Sequence, residues 1–288
     1  MGTLIDGAAI ARRIEGEVAR ECERLVRLGV TPSLVAVQVG HDAASALYIK
    51  RQRRACARLG VGYRVKEVPA DVSEQALLRE IALLNRSPQV TGIILQMPLP
   101  PHLNPRTLRR ALRPDKDVEG VHPQNLGYLL SGRPVLVPCT AAAVMECVLA
   151  AGRSLEGLET VVVGHSEIVG KPAALLLMER LATVTVCHVG TRDLWFHTER
   201  AELLVVAVGK PHLIPGNRIR EGAIVVDVGI NESIVDGEPV VVGDVETEAA
   251  LERASFITPV PGGVGPVTVA TLLRNTVKAA ASQGPLAI

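Results

Sequence analysis

The chain has 288 residues, with 31 basic and 30 acidic side chains and a formal net charge of +1. This balance leaves no overall positive field to attract a polyanion, so the composition argues against nucleic-acid binding. The length exceeds that of a usual single domain, and we therefore expect two domains.

The first half of the sequence alternates helical and strand-like segments. Apolar residues at helical spacing predict a helix over about residues 8–28, and the β-rich run SLVAVQVG follows it. A second helix containing ALYIKRQRRAC precedes the strand VGYRVKEVP, the helix SEQALLREIALLNR and the strand TGIILQ. This order predicts an α/β layer with parallel strands. Proline-rich MPLPPHLNP interrupts the order, and residues 111–138 indicate loop and a short helix.

A second alternation begins after a predicted helix in VPCTAAAVMECVLAAG. Its strands lie in ETVVVGHS, ATVTVCHV, ELLVVAVG, GAIVVDVG and ASFITPV, which is typical of a doubly wound sheet. The last helix, PVTVATLLRNTVKAAASQ, is expected to pack back on the first domain, since its apolar face would otherwise lack cover. We therefore predict one domain at 1–140 with the C-terminal helix 267–288, and a second domain at 141–266.

Two glycine-rich segments are candidate ligand sites. VVVGHSEIVGKP places Gly164 between an apolar strand and a helix, where a dinucleotide pyrophosphate meets a helix N-terminus. Only Gly164 and Gly170 replace the usual three glycines, so an ordinary strand-to-helix turn stays equally open. Gly209 and Gly229 also follow strands and would lie along the same carboxyl edge. PVPGGVGP is either a turn that a flat ligand can approach closely or a rigid linker.

Six motifs, in this order and spacing, resemble the bifunctional methylenetetrahydrofolate dehydrogenase/cyclohydrolase family: VGHDAAS, ALYIKRQRRAC, GIILQMPLP, KDVEGVHPQNLG, GHSEIVGKP and TPVPGGVGP. The resemblance covers nearly the whole chain. It implies an N-terminal α/β domain for folate binding and catalysis, a Rossmann-like dinucleotide-binding domain, a cleft between them for the folate, and a homodimer. It also implies oxidation of 5,10-methylenetetrahydrofolate by NADP or NAD, followed by hydrolysis of the methenyl product to 10-formyltetrahydrofolate.

The resemblance also assigns functional residues by position. The catalytic positions are Tyr48, Gln52, Gln96 and Glu119. The folate-binding positions are Tyr48, Gln96, Asp117, Glu119, Pro261, Gly262 and Gly263. The cofactor-binding positions are Gly164, His165, Ser166, Val189 and Ile230. We interpret other histidines, including His122 and His188, as structural or solvent-exposed, and no metal-ligand spacing stands out.

Two folate-site positions depart from the family pattern. The family's lysine four residues after the tyrosine is replaced by Gln52, which shares a helix face with Tyr48. A carboxamide cannot change its protonation state at neutral pH, so we expect an impaired hydrolytic step. Glu119 replaces an aspartate that holds the pterin, and its extra methylene shifts the carboxylate by about an ångström or more.

Two further departures concern the adenosine 2′-phosphate. His165 and Val189 stand where the family has an arginine and a serine, so we expect weak discrimination between NADP and NAD. No acidic residue ends the strand ATVTVCH to hold a free ribose diol, so a preference for NAD is not indicated either.

The expected compartment is the cytoplasm. The five cysteines lie at scattered spacings, as in reduced intracellular proteins, and the N-terminal segment lacks the apolar core of a signal peptide. No apolar run reaches membrane-spanning length. Three functions remain open: a dehydrogenase with impaired hydrolysis, a folate- and nucleotide-binding homologue with little turnover, and a specialised enzyme for another one-carbon adduct. Reduction of NAD or NADP by the folate separates the first from the second.

Overall fold

We describe the protein from a computed structural model over residues 1–235 and 237–283. Within these residues, the α-helices are α1 Gly7–Arg27, α2 Ala43–Leu59, α3 Glu74–Arg86, α4 Pro105–Ala111, α5 Pro123–Leu130, α6 Cys139–Ala150, α7 Gly170–Met178, α8 Leu194–Thr198, α9 Thr247–Leu251 and α10 Val264–Gln283. The strands are β1 Thr3–Leu4, β2 Ser33–Val39, β3 Gly62–Val68, β4 Gly92–Leu95, β5 Glu159–Val163, β6 Thr183–Cys187, β7 Leu203–Val206, β8 Ile224–Asp227, β9 Asn231–Val235, β10 Glu238–Val242 and β11 Phe256–Ile257. Across the described ranges, no helix is both long and apolar enough to cross a membrane.

The chain divides into two compact units, one of which comprises residues 13–139 and the described residues from 269 onward. Its three-stranded sheet has the order β3-β2-β4, and both pairings are parallel, as predicted. Helix α10 is held in this unit by Asn275, whose side-chain amide donates to the carbonyls of Val118 (2.9 Å) and Val137 (2.8 Å). The predicted end of this helix, residues 284–288, lies outside the described residues.

The other unit comprises residues 1–12 and 140–268. Its parallel sheet has the order β1-β11-β8-β7-β5-β6, so the strand order reverses at β5, with β6 on one side and β7 on the other. Ligands of doubly wound sheets bind outside the carboxyl ends of the strands at such a reversal. Gly164, Gly209 and Gly229 follow β5, β7 and β8. The prediction that these glycines share one carboxyl edge is confirmed.

The N-terminal residues differ from the predicted domain boundary. Residues 1–12 group with the second unit rather than with 13–139, because β1 adds to the edge of its sheet. Thr3 pairs with Phe256 and Leu4 with Ile257. A two-residue strand is too short to show hydrophobic periodicity, so its pairing could not be predicted from the sequence.

Helix α4 and strands β9 and β10 were not predicted either. Helix α4 begins directly after the proline-rich segment, where Asn104 accepts a hydrogen bond from the Arg106 N–H (3.0 Å) and Pro105 takes the first helical position. Strands β9 and β10 pair in antiparallel fashion, with Val240 opposite Ser233. Pro105 therefore starts helix α4 as well as ending the preceding pattern.

Candidate active site

On helix α2, the side chain of Tyr48 is half-buried, and that of Gln52 is buried, with 2% of its surface exposed. Asp42 caps the helix by accepting the Ser45 N–H (2.9 Å), and Ser45 Oγ donates to the Met97 carbonyl (2.9 Å). These bonds fix the start of α2 to the segment that follows β4. The basic side chains of the same helix are exposed: Lys50, Arg51, Arg53 and Arg54. The basic run is therefore a solvated face, and the buried face contains Gln52.

Gln52 is held by two hydrogen bonds to a single oxygen. The Tyr63 hydroxyl donates to Gln52 Oε1 (2.8 Å), and the Gln96 amide donates to the same atom (2.9 Å). Gln96 follows β4 directly, and its backbone N–H donates to the Val37 carbonyl (2.9 Å). These two bonds fix the side-chain orientation of Gln52. Because Oε1 is occupied as an acceptor, the side chain can interact with a further group by donating a hydrogen bond from Nε2. Tyr63 was missed in the sequence analysis, because a lone tyrosine in a strand resembles ordinary packing.

The KDVEG segment, residues 116–120, lies beside β4, where the Ile93 N–H donates to the Lys116 carbonyl (2.8 Å). Lys116 Nζ donates to the carbonyls at the end of α3, Leu84 (3.3 Å) and Ser87 (2.6 Å). Gly120 has a φ of 73°, and a Cβ there would overlap the Val137 backbone, so only glycine suits the position. Lys116 and Gly120 therefore have structural roles that position Glu119.

Asp117 is fully buried in this loop. Its Oδ2 accepts the His122 N–H (2.7 Å) and the Asn125 side-chain amide (2.9 Å), whereas its Oδ1 has no hydrogen-bond partner among the described residues. Burial raises the pKa of Asp117, and the His122 and Asn125 donors oppose the rise. Asp117 organises residues 117–125, and its assigned contact with folate stays a prediction.

Glu119 is a titratable group of this site whose pKa is raised to near neutrality. Burial, and to a lesser extent the Asp117 carboxylate, raises the pKa of Glu119 to about 7, while Arg109 and the Leu95 backbone favour its charged form. Burial raises the pKa of Tyr48 as well, with smaller contributions from Cys139 and Glu119. Tyr48 and Glu119 are therefore close enough to interact electrostatically. The Leu95 contact places Glu119 beside Gln96, and the four predicted catalytic positions lie together at the end of β4.

The turn after β5 requires both of its glycines. Gly164 has a φ of 115°, and a Cβ on it would overlap the Ala207 carbonyl oxygen. A Cβ on Gly170 would overlap the Gly164 carbonyl oxygen, so the start of α7 packs directly on the turn. Ser166 Oγ accepts the backbone N–H groups of Val169 (3.2 Å) and Gly170 (3.4 Å) and keeps its own proton to donate. A closely packed glycine turn at a helix start fits a dinucleotide pyrophosphate.

A buried carboxylate that the sequence analysis did not single out fixes the neighbouring loop. Asp244 is fully buried and accepts the backbone N–H groups of Val208 (2.7 Å), Gly209 (3.0 Å) and Lys210 (2.8 Å). It also accepts the side-chain amide of Asn231 (2.9 Å). Asp244 therefore holds the loop after β7, which lies beside the Gly164 turn on the carboxyl edge.

A second buried carboxylate supports Asp244. Asp227, at the end of β8, accepts the backbone N–H groups of Gly229 (2.8 Å), Asp244 (3.1 Å) and Val245 (2.9 Å). Burial raises the pKa of Asp227 to about 6, although these three donors lower it. A Cβ on Gly243 would overlap the Asp227 carboxylate, so this glycine is needed for the two carboxylates to approach. Together the two aspartates order the loops after β7 and β8.

The remaining predicted positions lie on the surface of their unit or in a tight turn. The side chains of His165, Val189 and Ile230 are exposed after β5, β6 and β8. Pro261 and Gly262 are exposed and Gly263 is buried. A Cβ on Gly7 would overlap the Gly262 and Gly263 carbonyl oxygens, so PVPGGVGP is a closely packed turn, and its assigned contact with the folate stays a prediction. Helix α10 starts inside the motif, at Val264, since proline is tolerated in a first helical turn.

Comparisons with known proteins agree over the whole chain. Residues 5–119 match the model of the tetrahydrofolate dehydrogenase/cyclohydrolase catalytic domain, and residues 138–284 match the model of the NAD(P)-binding domain of the same family. The bifunctional protein FolD 2 of Geobacter sulfurreducens is 48% identical over 284 residues, which is 99% of each chain.

Solved structures give the same result. The bifunctional FolD methylenetetrahydrofolate dehydrogenase/cyclohydrolase of Campylobacter jejuni is 40% identical, with a TM-score of 0.93 over 99% of this chain and 100% of that chain. The corresponding Trypanosoma brucei enzyme, complexed with NADP and an inhibitor, is 38% identical, with a TM-score of 0.92 over 97% of both chains. The similarity therefore extends over both units.

Proposed function

Because the chain belongs to the tetrahydrofolate dehydrogenase/cyclohydrolase family, we propose that it oxidises 5,10-methylenetetrahydrofolate with a nicotinamide cofactor and hydrolyses the methenyl product to 10-formyltetrahydrofolate. The observation that carries the proposal is the grouping of Tyr48, Gln52, Gln96 and Glu119 at the end of β4. Relatives named as bifunctional support both steps. They give no support to the expected impairment of hydrolysis, and we do not carry that expectation forward.

The oxidation step depends on positioning. When bound, the nicotinamide supplies the acceptor for the hydride of the methylene carbon. The chain contributes binding surfaces: Tyr48, Gln96, Asp117, Glu119, Pro261, Gly262 and Gly263 for the folate, and Gly164, His165, Ser166, Val189 and Ile230 for the dinucleotide. No protein base has to titrate in this step, because orientation supplies most of the acceleration.

The hydrolysis step requires a proton acceptor, and we assign it to Glu119. A water oxygen bonds to the electrophilic methenyl carbon while the Glu119 carboxylate takes one of its protons. The carboxylic acid then donates that proton to N5 as the bond from carbon to N5 breaks. The hydroxyl proton leaves as the formyl C=O forms on N10, so the reaction releases one proton overall. A pKa of about 7 suits both roles of Glu119 near neutral pH.

Gln52 orients this site rather than titrating. We expect Gln52→Lys to destabilise the protein by about 1–3 kcal/mol, because an ammonium accepts no hydrogen bond, so that the half-buried Tyr63 and buried Gln96 donors lose their shared acceptor. Hydrolysis of methenyltetrahydrofolate should not rise by more than about threefold, since Glu119 already supplies the proton acceptor. Denaturant unfolding and initial hydrolysis rates measure both effects.

Gln75→Lys is the matched control, since Gln75 is exposed on α3. It should change neither the free energy of unfolding nor the rate of methenyltetrahydrofolate hydrolysis. A rise of tenfold or more in the hydrolysis rate of Gln52→Lys would show that position 52 limits hydrolysis in the natural protein.

Nicotinamide reduction tests the function and the cofactor together. With saturating 5,10-methylenetetrahydrofolate, we expect turnover with both NADP and NAD. The kcat/KM for NADP should exceed the kcat/KM for NAD by well below a thousandfold. His165 and Val189 provide neither a fixed charge nor a second hydroxyl at the 2′-phosphate, and one lost charge-assisted contact removes about one to two orders of magnitude. A ratio of a thousandfold or more would show that another cation, such as Arg192, binds the phosphate. Lack of turnover with both cofactors would favour a binding protein.

We also propose a homodimer in the cytoplasm. The homodimer is supported by the family resemblance alone. The location is supported by the five cysteines, which are all buried, free thiols. Reduced thiols of this kind are usual in reducing compartments, where disulfides do not persist.

A further inference from the structure

One tyrosine outside the assigned catalytic positions contacts one of them directly. Helix α2 ends at Gly60, which has a φ of 72°, and β3 starts two residues later, so the chain turns back at once along the helix. This return places the half-buried Tyr63 beside Gln52, with the phenolic oxygen 2.8 Å from Gln52 Oε1. Burial raises the pKa of Tyr63, so its hydroxyl keeps the proton that it donates. Tyr63 is therefore a constant hydrogen-bond donor to Gln52.

Gln52 Oε1 accepts from two different elements of the unit. The Tyr63 hydroxyl reaches it from β3, and Gln96 Nε2, directly after β4, lies 2.9 Å from the same oxygen. The terminal torsion of a glutamine is broad and roughly two-fold, so a single hydrogen bond would leave the carboxamide free to rotate. Two bonds from separate strands fix its plane. Tyr63 therefore helps to set the direction in which the Nε2 group of Gln52 points.

Each of the two glutamines keeps one polar group for a ligand. Gln52 Nε2 and Gln96 Oε1 have no hydrogen-bond partner within the described part of the chain. Neither atom is sealed from solvent, since the fully buried side-chain atoms of this part that lack a partner are Asp117 Oδ1 and His197 Nδ1. One group is a donor and the other an acceptor. Together they suit a water molecule, which accepts from Nε2 and donates to Oε1.

Glu119 supplies the third group around such a water. Its carboxylate interacts with the backbone of Leu95, the residue before Gln96. We propose that Tyr63 is a positioning residue for hydrolysis, which holds Gln52 so that its Nε2 and Gln96 Oε1 orient the water that attacks the methenyl carbon. The free lone pair of the water oxygen forms the bond to that carbon, and the second proton of the water goes to Glu119. This inference rests on the proposed hydrolytic function.

Tyr63→Phe removes the hydroxyl alone and tests the proposal. We expect the kcat for methenyltetrahydrofolate hydrolysis to fall about five- to tenfold, because one hydrogen bond that orients the water is lost. The KM for this folate, and the kcat for oxidation of 5,10-methylenetetrahydrofolate, should change by less than about twofold, since oxidation uses no water. A general loss of structure would lower both rates together. Tyr128→Phe is the matched control, because the exposed Tyr128 hydroxyl on α5 also pairs with a glutamine, Gln124 (2.8 Å), and it should change neither rate.

Gln52→Glu separates the donor of this side chain from its acceptor. A carboxylate keeps an oxygen for Tyr63 and Gln96 but has no N–H to donate, so hydrolysis should fall about fivefold or more. Adding Tyr63→Phe should then lower the rate by less than about twofold further, because the group that Tyr63 orients is already missing. A larger further loss, or a single variant that hydrolyses at or above the natural rate, overturns the inference. A natural protein that oxidises the folate without hydrolysing the product contradicts the proposed function instead, and no variant is needed to see that result.

Discussion

Replacing Glu119 with glutamine is expected to lower the kcat for methenyltetrahydrofolate hydrolysis by about 10²–10⁴-fold, because the amide can neither accept a proton from water nor return one to N5. Oxidation of 5,10-methylenetetrahydrofolate needs no such group. Glu119→Gln should therefore lower kcat chiefly in hydrolysis. It should raise the KM for folate in both reactions, because Glu119 is also a proposed folate-binding residue. Separate initial-rate assays of the two steps measure this difference.

The pH profile identifies the role of Glu119 independently. A general base works in its charged form, and burial raises the pKa of Glu119 to about 7. Hydrolysis in the natural protein should therefore fall as the pH drops through about 7, whereas Glu119→Gln should lack this inflection. Glu67→Gln, at an exposed position of the same unit, serves as the control and should match the natural protein. An unchanged inflection in Glu119→Gln would assign the base to another residue.

Asp244→Asn is expected to destabilise the protein by about 3–5 kcal/mol, because it breaks a buried charge-assisted network. The three consecutive N–H groups of Val208, Gly209 and Lys210 converge on the Asp244 carboxylate. An asparagine offers one oxygen and turns an NH₂ group toward the remaining donors. Urea unfolding measures the loss, and 5′-AMP titration of the folded variant should show weaker binding, since the loop after β7 is no longer held.

Asp71→Asn provides the control for this prediction, since Asp71 is an exposed aspartate outside the network. It should change stability by less than about 0.5 kcal/mol. If Asp244→Asn lowered the free energy of unfolding by less than about 1 kcal/mol and bound 5′-AMP normally, the buried network would not be what holds the loop after β7.

Periodicity predicted the parts of the site that lie within one element. The four-residue spacing of Tyr48 and Gln52 placed both on one side of α2, and Gln52 is buried there. The common edge of Gly164, Gly209 and Gly229 could also be predicted. Each glycine follows a strand, and parallel strands present their carboxyl ends at one edge of the sheet.

Contacts between distant segments could not be predicted from the sequence. The Tyr63 hydroxyl reaches Gln52 from a neighbouring strand, and Asp244 reaches Gly209 across 35 positions of the chain. Neither residue belongs to a local pattern, since a tyrosine in a strand and an aspartate before a helix are ordinary residues there. The raised pKa of Glu119 likewise arises from burial, which depends on the fold and not on the KDVEG motif.

The most direct test of the proposed function follows all three folates in one reaction. The purified protein is mixed with 5,10-methylenetetrahydrofolate and NADP, and the methenyl and 10-formyl products are quantified over time against a protein-free buffer control. We expect reduced nicotinamide and 10-formyltetrahydrofolate to form in equal amounts, while the methenyl intermediate stays low. Methenyltetrahydrofolate that accumulates and disappears no faster than in buffer, or folate binding with no reduction of NADP or NAD, would contradict the account.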